Sequence, residues 1–73
     1  MVNGSVGPRV KQDAERAVRL KHGDDAEVYV RDPTVTPRRI IVFVAVAMGD
    51  APHACYEWRT DAQGNGGDLW PCP

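Results

Sequence analysis

Ile40 to Met48 reads Ile-Ile-Val-Phe-Val-Ala-Val-Ala-Met, nine apolar residues in succession behind the basic pair Arg38-Arg39. The run holds neither Gly nor Pro and is rich in β-branched residues, which suits a pleated, packed surface; it is about half the length that spans a bilayer. It is expected to be the central strand of a small sheet. A strand with one wet face alternates apolar and polar residues, whereas one that is apolar throughout has no side suited to water. Both of its faces need a cover, and that need constrains how the rest of the chain is read.

The segments around it supply one cover. From Pro8 to His22 the small apolar residues Val10, Ala14, Ala17 and Val18 recur at helical spacing, with Leu20 at the margin of the stripe. Proline suits a first helical turn, Lys21 and His22 suit the negative end of the helix dipole, and Gly23 suits the left-handed stop that follows. Ala26 to Arg31 alternates and reads as a half-buried edge strand; Asp32 to Pro37, with two prolines, reads as a long hairpin loop. After a turn at Met48–Pro52, His53 to Thr60 alternates again, with Tyr56 and Trp58 on one face and Cys55, Glu57 and Arg59 on the other. Asp61 to Asp68 is a glycine-rich turn, and Leu69-Trp70 is expected to form at most a short fourth strand.

The expected fold is α+β: residues 1 to 7 as a flexible lead-in, then one small domain over 8 to 73 with an N-terminal helix on a three-stranded antiparallel meander. A single domain of this length buries only about 60% of its unfolded surface, so an uncovered apolar strip is costly. The helix covers one face of the central strand. The other face is left for the Leu69-Trp70 tail, for a second copy in a homodimer, or for a different protein. Which alternate residues of residues 40 to 47 face outward is open from the sequence.

Charge narrows the function classes. The formal charge of −1 conceals eight Lys/Arg against six Asp/Glu in residues 1 to 39 and one against four thereafter. Such a dipolar chain gives bulk electrostatics little hold on nucleic acid or membrane. No signal peptide is visible, so the expected setting is the cytoplasm, where Cys55 and Cys72 would be thiols; if oxidised, the pair would close a stabilising loop.

Site chemistry is sparse. Asp61-Ala62-Gln63-Gly64-Asn65-Gly66 resembles the first half of an EF-hand calcium loop, but position 12 of such a loop falls on Cys72 and Pro71 forbids the exiting helix. An ordinary hairpin turn is expected there. His53, Cys55 and Cys72 are three ligand types without a fourth, so no metal and no cofactor is expected. His53 and Cys55, alternate on a strand, stand too far apart for a nucleophile–base pair, and Gly64 to Gly67 has no helix after it to complete a phosphate cradle. No small-molecule substrate is evident, and the protein is not read as an enzyme.

Two functions remain. The first is a small protein–protein interaction module of the adaptor, regulator or inhibitor kind, such as phages and mobile elements carry. It would bind its partner, or itself, through Tyr29, Ile41, Phe43, Ala45 and Trp70, because aromatic residues dominate hot spots. The second is a nucleic-acid binder using Arg9, Arg16 and Arg19 of the helix with Arg38 and Arg39 of the central strand.

Overall fold

The computed structural model describes residues 6–48 and 51–72, so the expectation of a flexible stretch over residues 1 to 5 and the tip of the turn at Gly49-Asp50 lie outside the described residues. One helix, α1 (Val6–His22), precedes five strands: β1 (Glu27–Val30), β2 (Thr34–Val35), β3 (Arg39–Met48), β4 (Ala51–Asp61) and β5 (Asp68–Pro71). They form a single antiparallel sheet in the order β1-β3-β4-β5, with β2 also paired to β3. The fold is an N-terminal helix on a sheet, α+β, as the apolar run and its alternating neighbours require.

The nine-residue apolar run makes up all of β3 after Arg39, and its parity is now fixed. Ile40, Val42, Val44 and Val46 point to α1 and are buried together with Val10, Ala14 and Val18. Each of the buried Ile and Val side chains contributes about 1.5–3 kcal/mol by leaving water. The small Ala14 lets the helix lie close to the sheet. Val28, Val30, Tyr56, Trp58 and Leu69 pack around this core, which places the inner faces of the flanking strands where their alternation puts them. Leu20 is not at the margin of the buried stripe but out in solvent.

Side chains hold the helix at both ends. Arg19 donates to Glu15 Oε2 at 2.9 Å and to the carbonyls of Asp24 and Ala26 at 2.8 and 2.9 Å, clamping the last turn onto the entry to β1. Gly23, at φ 107°, ends the helix with its N–H on the Arg19 carbonyl at 2.7 Å. His22 Nε2 lies 2.7 Å from the Tyr56 hydroxyl, tying the C-terminus of α1 to β4. At the other end Arg9 donates to the Gln63 carbonyl at 2.8 Å.

Four local expectations are corrected. The helix begins at Val6, two residues before Pro8, so Gly7 belongs to the helix and not to a lead-in. Asp32 to Pro37 is not wholly loop: Thr34 and Val35 pair with Ile41 and Ile40. Pro33 breaks the edge because it has no N–H to give, and the two residues after it, free of that defect, resume pairing. The connection to β3 is then a tight turn in which the Thr36 hydroxyl oxygen accepts from the N–H groups of Arg38 and Arg39 at 3.3 and 3.1 Å. Third, β4 runs from Ala51 to Asp61, beyond His53–Thr60 at both ends, with a register irregularity opposite Ala47. Fourth, Cys55 and Cys72 are not thiols: they are joined in a disulfide with Cα atoms 5.3 Å apart.

The turn after β4 is built by Asp61, whose Oδ1 accepts from the N–H groups of Gln63 and Asn65, both at 2.9 Å. Gly64 and Gly66 take φ of 84° and 65° within it. Gly67 is constrained for another reason: a Cβ there would overlap Cζ2 and Cε2 of the Trp58 indole. The expectation of an ordinary hairpin turn over 61–68 matches this geometry, since the carboxylate of Asp61 is occupied with backbone donors.

Candidate functional site: the outer sheet face

The helix covers one side of the sheet and leaves the other to the alternate residues of each strand. Across that outer face the register sets rows. Tyr29, Ala45 and Cys55 stand side by side; Phe43, Glu57 and Trp70 form the next row; Thr34, Ile41, Arg59 and Asp68 the one after; Arg39 and Asp61 close the end. The five residues expected as partner contacts, Tyr29, Ile41, Phe43, Ala45 and Trp70, therefore share one face, with Ala45 and Ile41 on either side of Phe43 along β3. Tyr29, Phe43 and Trp70 are 53%, 38% and 48% exposed.

The C-terminal segment does not fold across the face. It lengthens the sheet as β5, paired from Tyr56↔Pro71 to Arg59↔Asp68, and the Cys55–Cys72 bridge with the Cys72 N–H on the Cys55 carbonyl at 3.0 Å locks it beside β4. Leu69 turns inward to the core and Trp70 outward. Trp70 thus adds to the face instead of sealing it, and the strip over β1 and β3 stays open.

Glu57 is the unexpected member. It lies on the outer face yet is only 6% exposed, because Phe43 and Trp70 flank it on the neighbouring strands. Its Oε1 accepts from Arg59 Nε at 3.0 Å and is ion-paired with Nη2 at the same distance. The Arg59 guanidinium in turn lies over the Trp70 ring, 4.9 Å from its centroid. The ion pair and the stacking fix the Trp70 indole in place. Period-two alternation already puts Glu57 and Arg59 on this face, but nothing in the sequence signals that an aromatic pair would shelter the carboxylate.

Two of the hollows among the described residues open on this face. One, of about 330 Å³, is lined by Arg31, Phe43, Val44, Ala45 and Cys55; it exists because Ala45 is a small residue between larger neighbours. The other, of about 290 Å³, is lined by Arg38, Arg39, Arg59, Thr60, Gly66, Asp68 and Trp70. Of its charged groups Arg59 is paired with Glu57, while Arg38, Arg39 and Asp68 share the lining and Asp61 stands opposite Arg39 in the register, so charges of both signs meet there.

The five arginines of the nucleic-acid set are divided. Arg38 and Arg39 join the outer-face hollow, while Arg9 and Arg19 on α1 are engaged with backbone carbonyls and Glu15. Arg16 lines a shallow groove along the helix with Gln12, Glu15 and Arg19. At the edge of the face, Tyr29 donates to Glu27 Oε2 at 2.6 Å, and the hydrogen bond to that carboxylate, helped by partial desolvation and its negative charge, raises the phenol above its usual pKa of 10.0.

His53 is exposed and Cys55 and Cys72 are spent in the disulfide, so the three residues offer no thiolate to a metal. Among the described residues no group of three His, Cys, Asp or Glu side chains is placed to hold a metal ion. Among them, too, no helix is long and apolar enough to cross a membrane. Comparison of the chain with protein-family models, with curated proteins and with solved structures returned no match.

Proposed function

We propose that the protein is a non-enzymatic protein–protein interaction module, an adaptor, regulator or inhibitor, that docks its partner on the outer sheet face. The observation that carries this is the exposure of Tyr29, Phe43 and Trp70 on the one side of the sheet that the helix leaves bare. Aromatic side chains held on strands present large contact area at little entropic cost, which is the composition of an interface core. The hollow at Ala45 gives that surface relief into which a partner side chain fits, and the mixed charges around Arg59 and Asp68 give it a polar rim.

A protein partner is favoured over nucleic acid on grounds of charge. Phosphate binding needs an excess of free positive charge, and here Arg9 and Arg19 are used to hold the helix, Arg59 is paired with Glu57, and the whole chain carries a formal charge of −1. The setting also shifts. Disulfides persist in oxidising compartments and are rare in the cytosol, so the Cys55–Cys72 bridge favours an oxidising compartment over the cytoplasm expected from the sequence.

Immobilised protein should retain a binding protein from an extract of the source cell, and Phe43→Ser and Trp70→Ala should each lose it while keeping a wild-type melting curve. Retention unchanged in both variants, or retention of nucleic acid that falls steeply with salt and vanishes on Arg38→Ala with Arg39→Ala, would reject this assignment.

A further inference from the structure

We infer that the occupant of the outer face is a second copy of this chain, stacked face to face about a two-fold axis so that Phe43 of each copy enters the hollow over Ala45 of the other. This rests on the outer face being the docking surface and adds what docks there.

The inference comes from the shape of β3. Phe43 projects outward and is 38% exposed, and the hollow it borders is floored by Ala45, the next residue on the same face of the same strand. A knob and a dent separated by one step along a strand are self-complementary. Place a two-fold axis in the plane between two stacked sheets, across the strands and level with Val44, and each strand lies antiparallel over its own copy. Phe43 then falls over the partner's Ala45, and Ala45 under the partner's Phe43. An isologous contact of this kind uses one patch twice and closes at two subunits. A hollow of about 330 Å³ has room for the ring, since an apolar cavity of about 150 Å³ already takes up benzene.

The flanks agree with the same axis. Arg31 follows Tyr29 by two residues on the β1 edge, and its N–H bonds the Phe43 carbonyl at 2.9 Å, which sets it level with Phe43, while Tyr29 is level with Ala45. The axis therefore lays Tyr29 over the partner's Arg31, an arrangement suited to a guanidinium on an aromatic face. On the other flank Trp70, level with Phe43, lies over the partner's Cys72 and the disulfide next to it. The area is adequate as well. Four strands at a spacing of roughly 4.8 Å, taken over rows 39 to 47 at roughly 3.4 Å per residue, give a face of roughly 19 by 27 Å, hence about 1,000 Å² for the pair, the size at which specific interfaces begin. An interface at this low end of the size range belongs to the weak, concentration-dependent class.

Sedimentation equilibrium from low-micromolar to near-millimolar protein tests it. The wild type should pass from monomer to dimer and no further. Phe43→Ala, which removes the knob, and Ala45→Phe, which fills the dent, should each raise the dissociation constant by about tenfold or more. The double variant Phe43→Ala with Ala45→Phe exchanges knob and dent about the same axis and should return to within about threefold of wild type. Thermal melts of all four proteins identify any variant that has lost its fold; Phe43→Ser then stands in for Phe43→Ala, and Ala45→Leu for Ala45→Phe. A wild type that stays monomeric, single variants that dimerise like wild type, or a double variant no better than the singles overturns the inference. If the wild type is monomeric yet retains an extract protein that Phe43→Ser releases, the docking face stands and only the identity of its occupant is wrong.

Discussion

Replacing both cysteines by serine isolates what the cross-link contributes. Cys55 is exposed and Cys72 half-buried, so the substitution removes little packing and acts mainly on the unfolded chain. The bridge closes a loop with a sequence separation of 17; the chain-entropy relation gives about 10.5 cal/mol/K for a loop of that size, or about 3 kcal/mol at 25 °C. A domain of this length has about 4–11 kcal/mol in total, so the loss is about a quarter to three quarters of it. At about 4–8 °C per kcal/mol for small domains, the melting temperature should fall by about 12–24 °C. Urea unfolding, followed by far-UV circular dichroism, should show the same decrease for the double variant and for wild type in excess reductant. The effect should be sharpest at β5, a four-residue strand that otherwise holds to β4 through the Tyr56–Pro71 to Arg59–Asp68 pairs, the Cys72 N–H bond and the Arg59–Trp70 stack; in a Trp58→Phe background the fluorescence of Trp70 should shift toward that of a solvated indole. Stability unchanged within about 0.5 kcal/mol in both experiments would refute the loop-entropy account and the paired state with it.

Three further outcomes are expected. Gly67→Ala makes a methyl group overlap the Trp58 indole and should cost about 2–3 kcal/mol in urea unfolding, against about 1 kcal/mol for Gly66→Ala, which meets open space and has only its positive φ to strain it. Arg59→Met leaves the sheltered Glu57 carboxylate without its donor and should destabilise by about 2 kcal/mol while freeing the Trp70 ring, read as a rise in acrylamide quenching of Trp70 in the Trp58→Phe background. Tyr29 should ionise above 10.0, followed by absorbance at high pH against a Tyr29→Phe reference, and Glu27→Gln should bring it back down. Because the folded-state pKa lies above the unfolded one, the stability linked to this proton is complete below the unfolded value and is lost as pH rises through the folded one.

Much of this fold is legible from two periodicities. The unbroken apolar run from Ile40 to Met48, between segments alternating around Val28, Val30, Tyr56 and Trp58, suffices to give a central strand, its neighbours and the face the helix covers. What the sequence leaves open follows from physics that is not local. The parity of β3 is invisible because Ile41 and Phe43 are as apolar as Ile40 and Val42; only the position of α1, fixed by Arg19, His22 and Arg9 reaching to other elements, decides it. The return of pairing at Thr34-Val35 after Pro33 depends on β3 extending past β1 to receive it. The shelter of Glu57 depends on Phe43 and Trp70 converging from different strands, and Gly67 gives no hint in a run of turn glycines that an indole lies against it. Cys55 and Cys72 are brought together by the β4–β5 register, so their pairing is a tertiary fact.

The lateral borders of the sheet are poor templates for polymerisation. On one side the ladder is interrupted at Pro33, and on the other it is a single short strand that ends in Pro71. A long bare edge would recruit strands from other molecules without limit, which is the route to fibres. Here a chain with so apolar a central strand has edges that disfavour growth sideways, and a large excess of protein should remain in solution instead of precipitating.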